Sequence, residues 1–152
     1  MLELFKEFLA DPDASDMFIT GAAGTGKTTG LRELVEYCQA NESFEIRVCA
    51  FTHKACGILT SKLPLETEIS TLHKYLHKRP TINVEAEVVA KVEGNSQWAK
   101  PIPVGVLFID EFSQIGERDL MSIRELQDEA LEGEEPFPMK IVWIGDLNQL
   151  PP

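Results

Sequence analysis

The sequence predicts an α/β fold with a mostly parallel β-sheet flanked by helices, and three observations lead to this prediction. Short apolar runs alternate along the chain with segments of helical periodicity, as in strands joined by crossover helices. The runs at 104–109 and 139–144 are almost continuously apolar, which is typical of strands buried on both faces of a sheet. A glycine-rich loop at 21–29 separates a strand from a helix.

The individual elements follow from apolar periodicity. The first ten residues, MLELFKEFLA, are amphipathic and acidic, so they do not resemble a signal peptide. We predict strands at 16–20, 46–51, 104–109 and 139–144, and helices at 27–40, 54–63 and 117–131. Gly57 weakens the second of these helices, and Gly133 ends the third.

Composition sets limits on the kind of protein. The 152 residues suit one domain of ordinary size, and no apolar run is long enough to span a membrane. The three cysteines form no CxxC pair, which indicates buried or free thiols in a reducing cytosol and predicts a cytoplasmic protein. The net charge of -11 argues against nonspecific coating of nucleic acid, but it leaves room for a local site.

The stretch GAAGTGKTT fits the pattern G-x-x-x-x-G-K-[ST], with Gly21, Gly26, Lys27 and Thr28 at the defined positions. Glycines let backbone N–H groups surround phosphate oxygens, and the following helix adds the positive end of its dipole. Lys27 is expected to reach the β and γ phosphates of ATP, and Thr28 to bind Mg²⁺. The alternative is a glycine-rich turn with a solvated lysine. The predicted nucleotide-binding residues are Gly21, Ala22, Ala23, Gly24, Thr25, Gly26, Lys27, Thr28 and Thr29.

Polar side chains follow two other apolar strands. Asp110 and Glu111 come at the carboxyl end of the 104–109 strand, where open α/β sheets bind ligands. Adjacent carboxylates there can divide the roles of metal ligand and general base, although a helix cap is the alternative. Asp146 and Gln149 follow the 139–144 strand. The neutral amide of Gln149 suits a γ-phosphate or an attacking water, with a proline-terminated surface turn as the alternative.

Two further segments indicate contacts with DNA. Thr52, His53 and Lys54 open a helix after a strand, so that a short hydroxyl and backbone N–H groups can hold a phosphate. The alternative is an N-capping threonine beside a solvated lysine. A basic cluster in STLHKYLHKRP can bind a single strand, or it can be a solvated helix face. The cluster contains Thr71, His73, Lys74, His77, Lys78 and Arg79.

Taken together, GAAGTGKTT, AFTHKACGIL, STLHKYL, VLFIDEFSQIG and VWIGDLNQLPP resemble motifs I, Ia, Ib, II and III of superfamily 1B DNA helicases, with the phage Dda and bacterial RecD type as the closest likeness. The resemblance implies the first RecA-like domain of a 5′-to-3′ motor driven by ATP and Mg²⁺. It implies roles for Lys27 and Thr28 at the phosphates and the metal, for Asp110 and Glu111 as the motif II pair, and for Gln149 at the γ-phosphate. It also implies that the 139–144 strand lies between the 16–20 and 104–109 strands.

The resemblance further implies single-stranded DNA as a partner and Thr71 and His73 as motif Ib positions. Its phage and bacterial type implies a bacterial or phage-infected host cytosol as the location. Motifs IV to VI and the upstream glutamine motif are absent from the sequence. We therefore expect a chain truncated at both ends, a missing second RecA-like domain and a monomer that binds ATP with little hydrolysis and no unwinding.

The expected domain division places a RecA-like domain 1A at 1–77 and 104–152, with an inserted segment 1B at 78–103. In this family the insert is a β-hairpin pin, and the alternation in TINVEAEVV favours a hairpin over a helix at 84–92. Trp98 is expected either to anchor the insert or to stack on a base.

Two other functions compete with the motor. A thymidine kinase also joins a phosphate loop to a strand-borne Asp-Glu pair, but it normally carries a cysteine-rich zinc element that this sequence lacks. The second alternative is a nucleotide-binding module without catalysis.

Overall fold

The computed structural model describes residues 1–22, 24, 26–41, 44–77 and 101–146, which form a five-stranded sheet between helices. The strands are β1 (Asp16–Thr20), β2 (Ile46–Ala50), β3 (Ile69–Thr71), β4 (Val106–Asp110) and β5 (Lys140–Gly145). The helices are α1 (Leu2–Ala10), α2 (Lys27–Asn41), α3 (His53–Lys62), α4 (Leu72–Tyr75) and α5 (Glu117–Glu132), and a 3-10 turn spans Phe112–Gln114.

The strand order in this sheet is β1-β5-β4-β2-β3, and every neighbouring pair is parallel. The predicted placement of the 139–144 strand is therefore confirmed, since β5 lies between β1 and β4. The register pairs Phe18 with Trp143 and Asp110 with Ile144. The four strands expected from apolar runs are all present, whereas the three-residue strand β3 was not predicted because its sequence, IST, is short and largely polar.

Both faces of the sheet are covered, which explains why β4 and β5 have continuous apolar sequences. Val106 and Phe108 point into a core shared with α1, α2 and α3. Leu107 and Ile109, which alternate with them, point into a second core shared with α4 and α5. The result is a three-layer α/β/α arrangement, as the sequence predicts.

Helix boundaries follow local chemistry. Helix α3 begins one residue before the predicted start, because the Thr52 hydroxyl accepts a hydrogen bond from the backbone N–H of Ala55 at 3.1 Å and caps the helix. Helix α5 ends at Glu132 and is followed by Gly133, as predicted. No helix in the described part of the chain combines the length and the apolar character needed to cross a membrane.

A buried lysine fastens the loop after α1 to the sheet. Lys140 is 3% exposed, and its Nζ donates hydrogen bonds to the carbonyl oxygens of Asp11 at 2.6 Å and Ala14 at 2.5 Å. The ammonium also lies 4.8 Å from the centre of the Phe8 ring. Burial lowers the pKa of Lys140. These contacts fix the chain that leads directly into β1.

Candidate functional site

Because all neighbouring strands are parallel, their carboxyl ends lie along one edge of the sheet. The strand order therefore fixes the order of the segments that leave this edge. The loop at 21–26 follows β1, Asp146 follows β5, and Asp110–Glu111 ends β4. Thr52–Lys54 then follows β2, and Thr71–His73 follows β3. Every segment that the sequence predicted to be functional lies on this edge, except for residues outside the described part of the chain.

The glycine-rich loop has a backbone conformation that favours glycine. Gly24 has a φ of +81° and Gly26 a φ of +83°, both in the left-handed region. A Cβ added at either position would meet nothing within 4 Å, so the requirement for glycine comes from the backbone and the space beside it is open. Helix α2 starts at Lys27, and the N–H of Gly30 donates to the Gly26 oxygen at 3.0 Å. The positive end of a 15-residue helix thus faces the loop.

The Lys27 side chain folds back onto the glycine-rich loop. Its Nζ donates a 2.6 Å hydrogen bond to the carbonyl oxygen of Gly21. The N–H of Gly21 in turn donates to the oxygen of Gly145 at 3.3 Å, which ties the loop to the end of β5. A neutral carbonyl is a weaker acceptor than an anion. The ammonium is therefore placed to exchange its present partner for a phosphate oxygen.

The carboxylate of Asp110 lies in a setting that disfavours its charge. Burial raises the pKa of Asp110, and the negative charge of Glu111 raises it further. The N–H of Glu111 and the positive charge of Lys27 act in the opposite direction. A cation beside Asp110 would relieve both unfavourable effects.

No group of three or more His, Cys, Asp or Glu side chains in the described residues is arranged to hold a metal. A divalent ion here would therefore need other ligands, and Mg²⁺ commonly takes these from substrate phosphates and water.

Glu111 has an uncommon backbone conformation for a residue with a side chain. Its φ of 59° and ψ of 54° lie in the left-handed region. The N–H of Gln114 donates to the Glu111 oxygen at 3.0 Å, which closes the turn that follows. This bend turns the chain away from β4 and brings the Phe112 ring against Gly145, where a Cβ would lie 2.7 Å from ring atom Cδ1. The carboxylate pair is thus built on a tightly packed turn.

Three predicted site residues, Ala23, Thr25 and Gln149, lie outside the described residues. Asp146 directly follows β5 and is 7% exposed. Within the described loop, Thr28 is half-buried and Thr29 is exposed.

The segments after β2 and β3 differ in accessibility. Thr52, His53 and Lys54 are exposed, and Thr52 is also the N-cap of α3. Thr71 is 9% exposed, and its hydroxyl accepts a hydrogen bond from the N–H of Lys74 at 3.2 Å to cap α4. The capping alternative considered for Thr52 is therefore what the structure shows, although an exposed cap can still contact a ligand.

His73 and Asp119 form a contact that the sequence did not suggest. The Nε2 atom of His73 lies 3.2 Å from Oδ2 of Asp119 in the first turn of α5. An acidic residue in a first helical turn already has a local explanation, because it complements the helix dipole. Nothing in the sequence therefore pointed to a long-range partner for Asp119.

Comparisons with known proteins agree with this fold. The chain matches a family model described as an AAA domain over residues 10–152. An uncharacterized protein of Acanthamoeba polyphaga mimivirus is 31% identical over 159 residues, covering 96% of this chain and 31% of that protein. The ATP-dependent DNA helicase Pif1 of Psychrobacter sp. is 27% identical over 146 residues, covering 90% of this chain and 20% of the helicase.

Solved structures give the same result. A structure of two coordinating Pif1 helicases, which addresses DNA unwinding at forked double-stranded DNA, has a TM-score of 0.61 and 26% identity. The match covers 99% of this chain and 33% of that one. Bacteroides Pif1 bound to single-stranded DNA has a TM-score of 0.58 and 25% identity, with 99% and 33% coverage. This chain thus spans about a third or less of each of these relatives. It belongs to the AAA-domain family and is a RecA-like domain of the superfamily 1B helicase type.

Proposed function

We propose that this chain is the ATP-binding motor domain of a 5′-to-3′ DNA helicase, which couples Mg·ATP hydrolysis to movement along single-stranded DNA in the full-length protein. The order of segments on the carboxyl edge of the sheet carries the proposal. The glycine-rich loop and the carboxylate pair occupy one half of the edge, and the exposed segment Thr52–Lys54 lies on the other. Nucleotide and DNA would then bind to one rigid sheet, which can couple the two ligands.

On the nucleotide side, the open space beside Gly24 and Gly26 suits a phosphate chain. Lys27 would exchange the Gly21 oxygen for the β and γ phosphates. Thr28 and Asp110 would hold Mg²⁺, whose positive charge would offset the burial and the Glu111 charge that raise the pKa of Asp110. When bound, Mg²⁺ neutralises charge that develops on the phosphate oxygens.

The remaining catalytic roles go to Glu111 and Gln149. Glu111, which follows Asp110 in a left-handed backbone conformation, would accept a proton from the attacking water. Gln149 would contact the γ-phosphate, which is a role taken from its motif position because the residue lies outside the described part of the chain.

On the DNA side, we assign the phosphate contacts to the start of α3 and place the segment after β3 beside the bound strand. Thr52, His53 and Lys54 are exposed and offer a hydroxyl, an imidazole and an ammonium group. From their motif Ib positions, Thr71 and His73 are expected to lie near the bound strand, one strand further along the sheet. A protein with a net charge of -11 should hold DNA here weakly and with strong salt dependence.

We further propose the division into domain 1A at 1–77 and 104–152 and insert 1B at 78–103. The hydroxyl of Tyr75 donates a 2.7 Å hydrogen bond to the carbonyl oxygen of Ile102. The chain before and after the segment therefore meets at one place, as an insertion into a sheet requires. The hairpin and the role of Trp98 concern residues outside the described ranges.

The relatives reported above favour a motor over a thymidine kinase, because two of them are named as DNA helicases. They are Pif1 helicases, so a closer kinship with the Dda and RecD type stays a prediction. A cytosolic location and a monomeric state are proposals of the same kind.

Nucleotide binding tests the proposal. Lys27→Ala should weaken the binding of a fluorescent Mg·ADP at least tenfold, because the variant loses the one loop side chain with a positive charge. Titration by fluorescence anisotropy measures the affinity. Lys62→Ala is a matched control, since Lys62 is an exposed lysine in the last turn of α3, away from the loop. Equal affinity of the Lys27 variant and the wild type would show that the loop is not the site.

A further inference from the structure

The contact between His73 and Asp119 joins the two halves of the functional edge. His73 is the second residue of α4, and this helix begins directly after the capping residue Thr71 at the end of β3. Asp119 is in the first turn of α5, which begins shortly after the Asp110–Glu111 pair. Strands β3 and β4 are not neighbours in the sheet, because β2 lies between them. The contact between Nε2 of His73 and Oδ2 of Asp119, at 3.2 Å, therefore connects two segments whose strands are not directly hydrogen-bonded to each other.

The surroundings make this contact well defined. The Asp119 side chain is 12% exposed and that of His73 is 38% exposed, so the carboxylate is the buried member of the pair. Beneath the pair, Leu72 of α4 and Ile123 of α5 belong to the same apolar core. We therefore expect a displacement of α4 to move α5 as well, through the shared apolar core and through the His73–Asp119 contact.

His73 is poorly placed to serve as a simple DNA contact. One ring nitrogen already faces Asp119, and a carboxylate next to the imidazole repels an approaching phosphate. Its neighbour Lys74 is exposed and belongs to the same helical turn. Lys74 is thus the better candidate for attracting DNA. The His73 imidazole can then have a role other than direct DNA binding.

We propose that His73 is a positioning residue, which acts through Asp119 to link the position of α4 beside bound DNA to α5 and the Asp110–Glu111 turn. The pair then determines how strongly single-stranded DNA changes nucleotide affinity, rather than how tightly DNA binds. This inference rests on the proposed function, since it presupposes that both ligands bind to this edge.

The test measures the coupling between the two ligands. The dissociation constant of a fluorescent Mg·nucleotide is determined with and without a saturating oligo-dT strand at low salt, and the ratio of the two constants reports the coupling. The wild type should give a ratio that differs from 1 by at least threefold. His73→Ala should bring the ratio to within about 1.5-fold of 1 and leave the DNA-free nucleotide affinity within about twofold of wild type. Both limits on the ratio are rough thresholds set below the usual range of about 5–150-fold for coupled sites.

Three further variants separate positioning from DNA contact and from folding. His73→Gln retains a side-chain donor and should restore much of the ratio. Asp119→Asn should reduce the ratio as His73→Ala does, and the double variant should lose no more than either single one. Lys74→Ala should weaken DNA binding while keeping the wild-type ratio once DNA is saturating. Thermal melting of each variant shows whether it is folded.

The possible results distinguish failure of this inference from failure of the proposed function. A wild-type ratio of 1, with both ligands bound, would overturn this inference and leave the proposed function standing. A His73→Ala variant that binds DNA as weakly as Lys74→Ala, with a normal ratio at saturation, would make His73 a DNA contact and also overturn it. Loss of melting stability without rescue of the ratio by His73→Gln would reduce the pair to a structural role. Absence of nucleotide binding in the wild type would refute the proposed function itself.

Discussion

At the scale of single residues, the carboxylate pair is held in a state that costs free energy. Asp110 carries a charge that its burial and the neighbouring Glu111 oppose, and Glu111 has a left-handed backbone. Such costs at adjacent positions are typical of sites arranged for a ligand rather than for stability. The bound cation is what we expect to offset the electrostatic part.

This view gives a prediction for Asp110→Asn. The folded pKa of Asp110 is raised, so the folded protein loses stability relative to the unfolded chain as the pH rises through that pKa. At neutral pH the neutral amide should therefore raise the melting temperature of the metal-free protein, and this gain should vanish below pH ~3.9, the ordinary pKa of an aspartate. The same change should greatly weaken Mg²⁺-dependent nucleotide binding. Calorimetric melting at several pH values checks both the sign and the pH window.

Asp128→Asn is the control, because Asp128 is an exposed aspartate on α5. It should leave both the melting temperature and the nucleotide affinity close to those of the wild type. An Asp110→Asn protein that melts lower than wild type at neutral pH would contradict the proposed electrostatic strain.

The sequence could single out Lys27 and Asp110 as candidates because each belongs to a motif whose spacing is tied to phosphate or metal chemistry, and their roles stay predictions. It could not identify the partner of His73, because the helical position of Asp119 is compatible with an ordinary dipole effect. Nor could it show the backbone conformation of Glu111, since a non-glycine residue gives no local sign that it will adopt a positive φ.

At the scale of secondary-structure elements, the end of β5 and the 3-10 turn after β4 fit together closely. A Cβ at Gly145 would lie 2.7 Å from Cδ1 and 2.9 Å from Cε1 of the Phe112 ring, and 3.2 Å from the Phe112 backbone nitrogen. The ring of Phe18 also packs against Phe112 in an edge-to-face arrangement, with the ring centres 5.7 Å apart. The ring therefore has little freedom to move aside, and any shift would be passed to Glu111.

Gly145→Ala should accordingly destabilise the protein by about 1–3 kcal/mol, which is the usual cost of an overpacked core. It should also weaken Mg·nucleotide binding, because the displaced Phe112 adjoins the carboxylate pair. Urea denaturation and the fluorescent-nucleotide titration measure the two effects. Gly57→Ala is the control, because a Cβ there meets nothing within 4 Å and alanine in a helix should add roughly 0.5–1 kcal/mol. An unchanged Gly145 variant would mean that the turn is more adaptable than its contacts indicate.

Prediction of the elements succeeded where burial dictates the sequence. Strands β4 and β5 could be recognised because both faces of each strand are covered, which requires continuous apolar side chains. Strand β3 could not, because it has one neighbour in the described sheet and spans only Ile69–Thr71. Its pairing with β2 depends on the tertiary fold and leaves little local signal.

At the scale of the whole molecule, the positions of the arginines are relevant to ATP hydrolysis, because an arginine can supply positive charge at the γ-phosphate. Arg32 pairs with Glu36 at 2.8 Å, and Arg124 pairs with Asp16 at 3.0 Å. Arg47 lies over the Tyr75 ring, 5.2 Å from its centre. The partners of these three arginines lie outside the glycine-rich loop and the carboxylate pair. Among the described residues, the cation identified beside the carboxylate pair is therefore Lys27.

We accordingly expect this chain, taken alone, to bind ATP and to hydrolyse it very slowly, with or without DNA. Positive charge beyond the γ-phosphate, as an arginine finger provides, contributes roughly 10³–10⁵ in rate, or about 4–7 kcal/mol of barrier. The space beside Gly24 and Gly26 is open, so water there would weaken the electrostatic effect of Lys27 and the metal. Steady-state phosphate release by this chain and by a full-length Pif1 helicase provides the comparison, with Glu111→Gln as the control for authentic turnover. Equal rates in the two proteins, abolished in this chain by Glu111→Gln, would show that the single domain already holds a complete catalytic site.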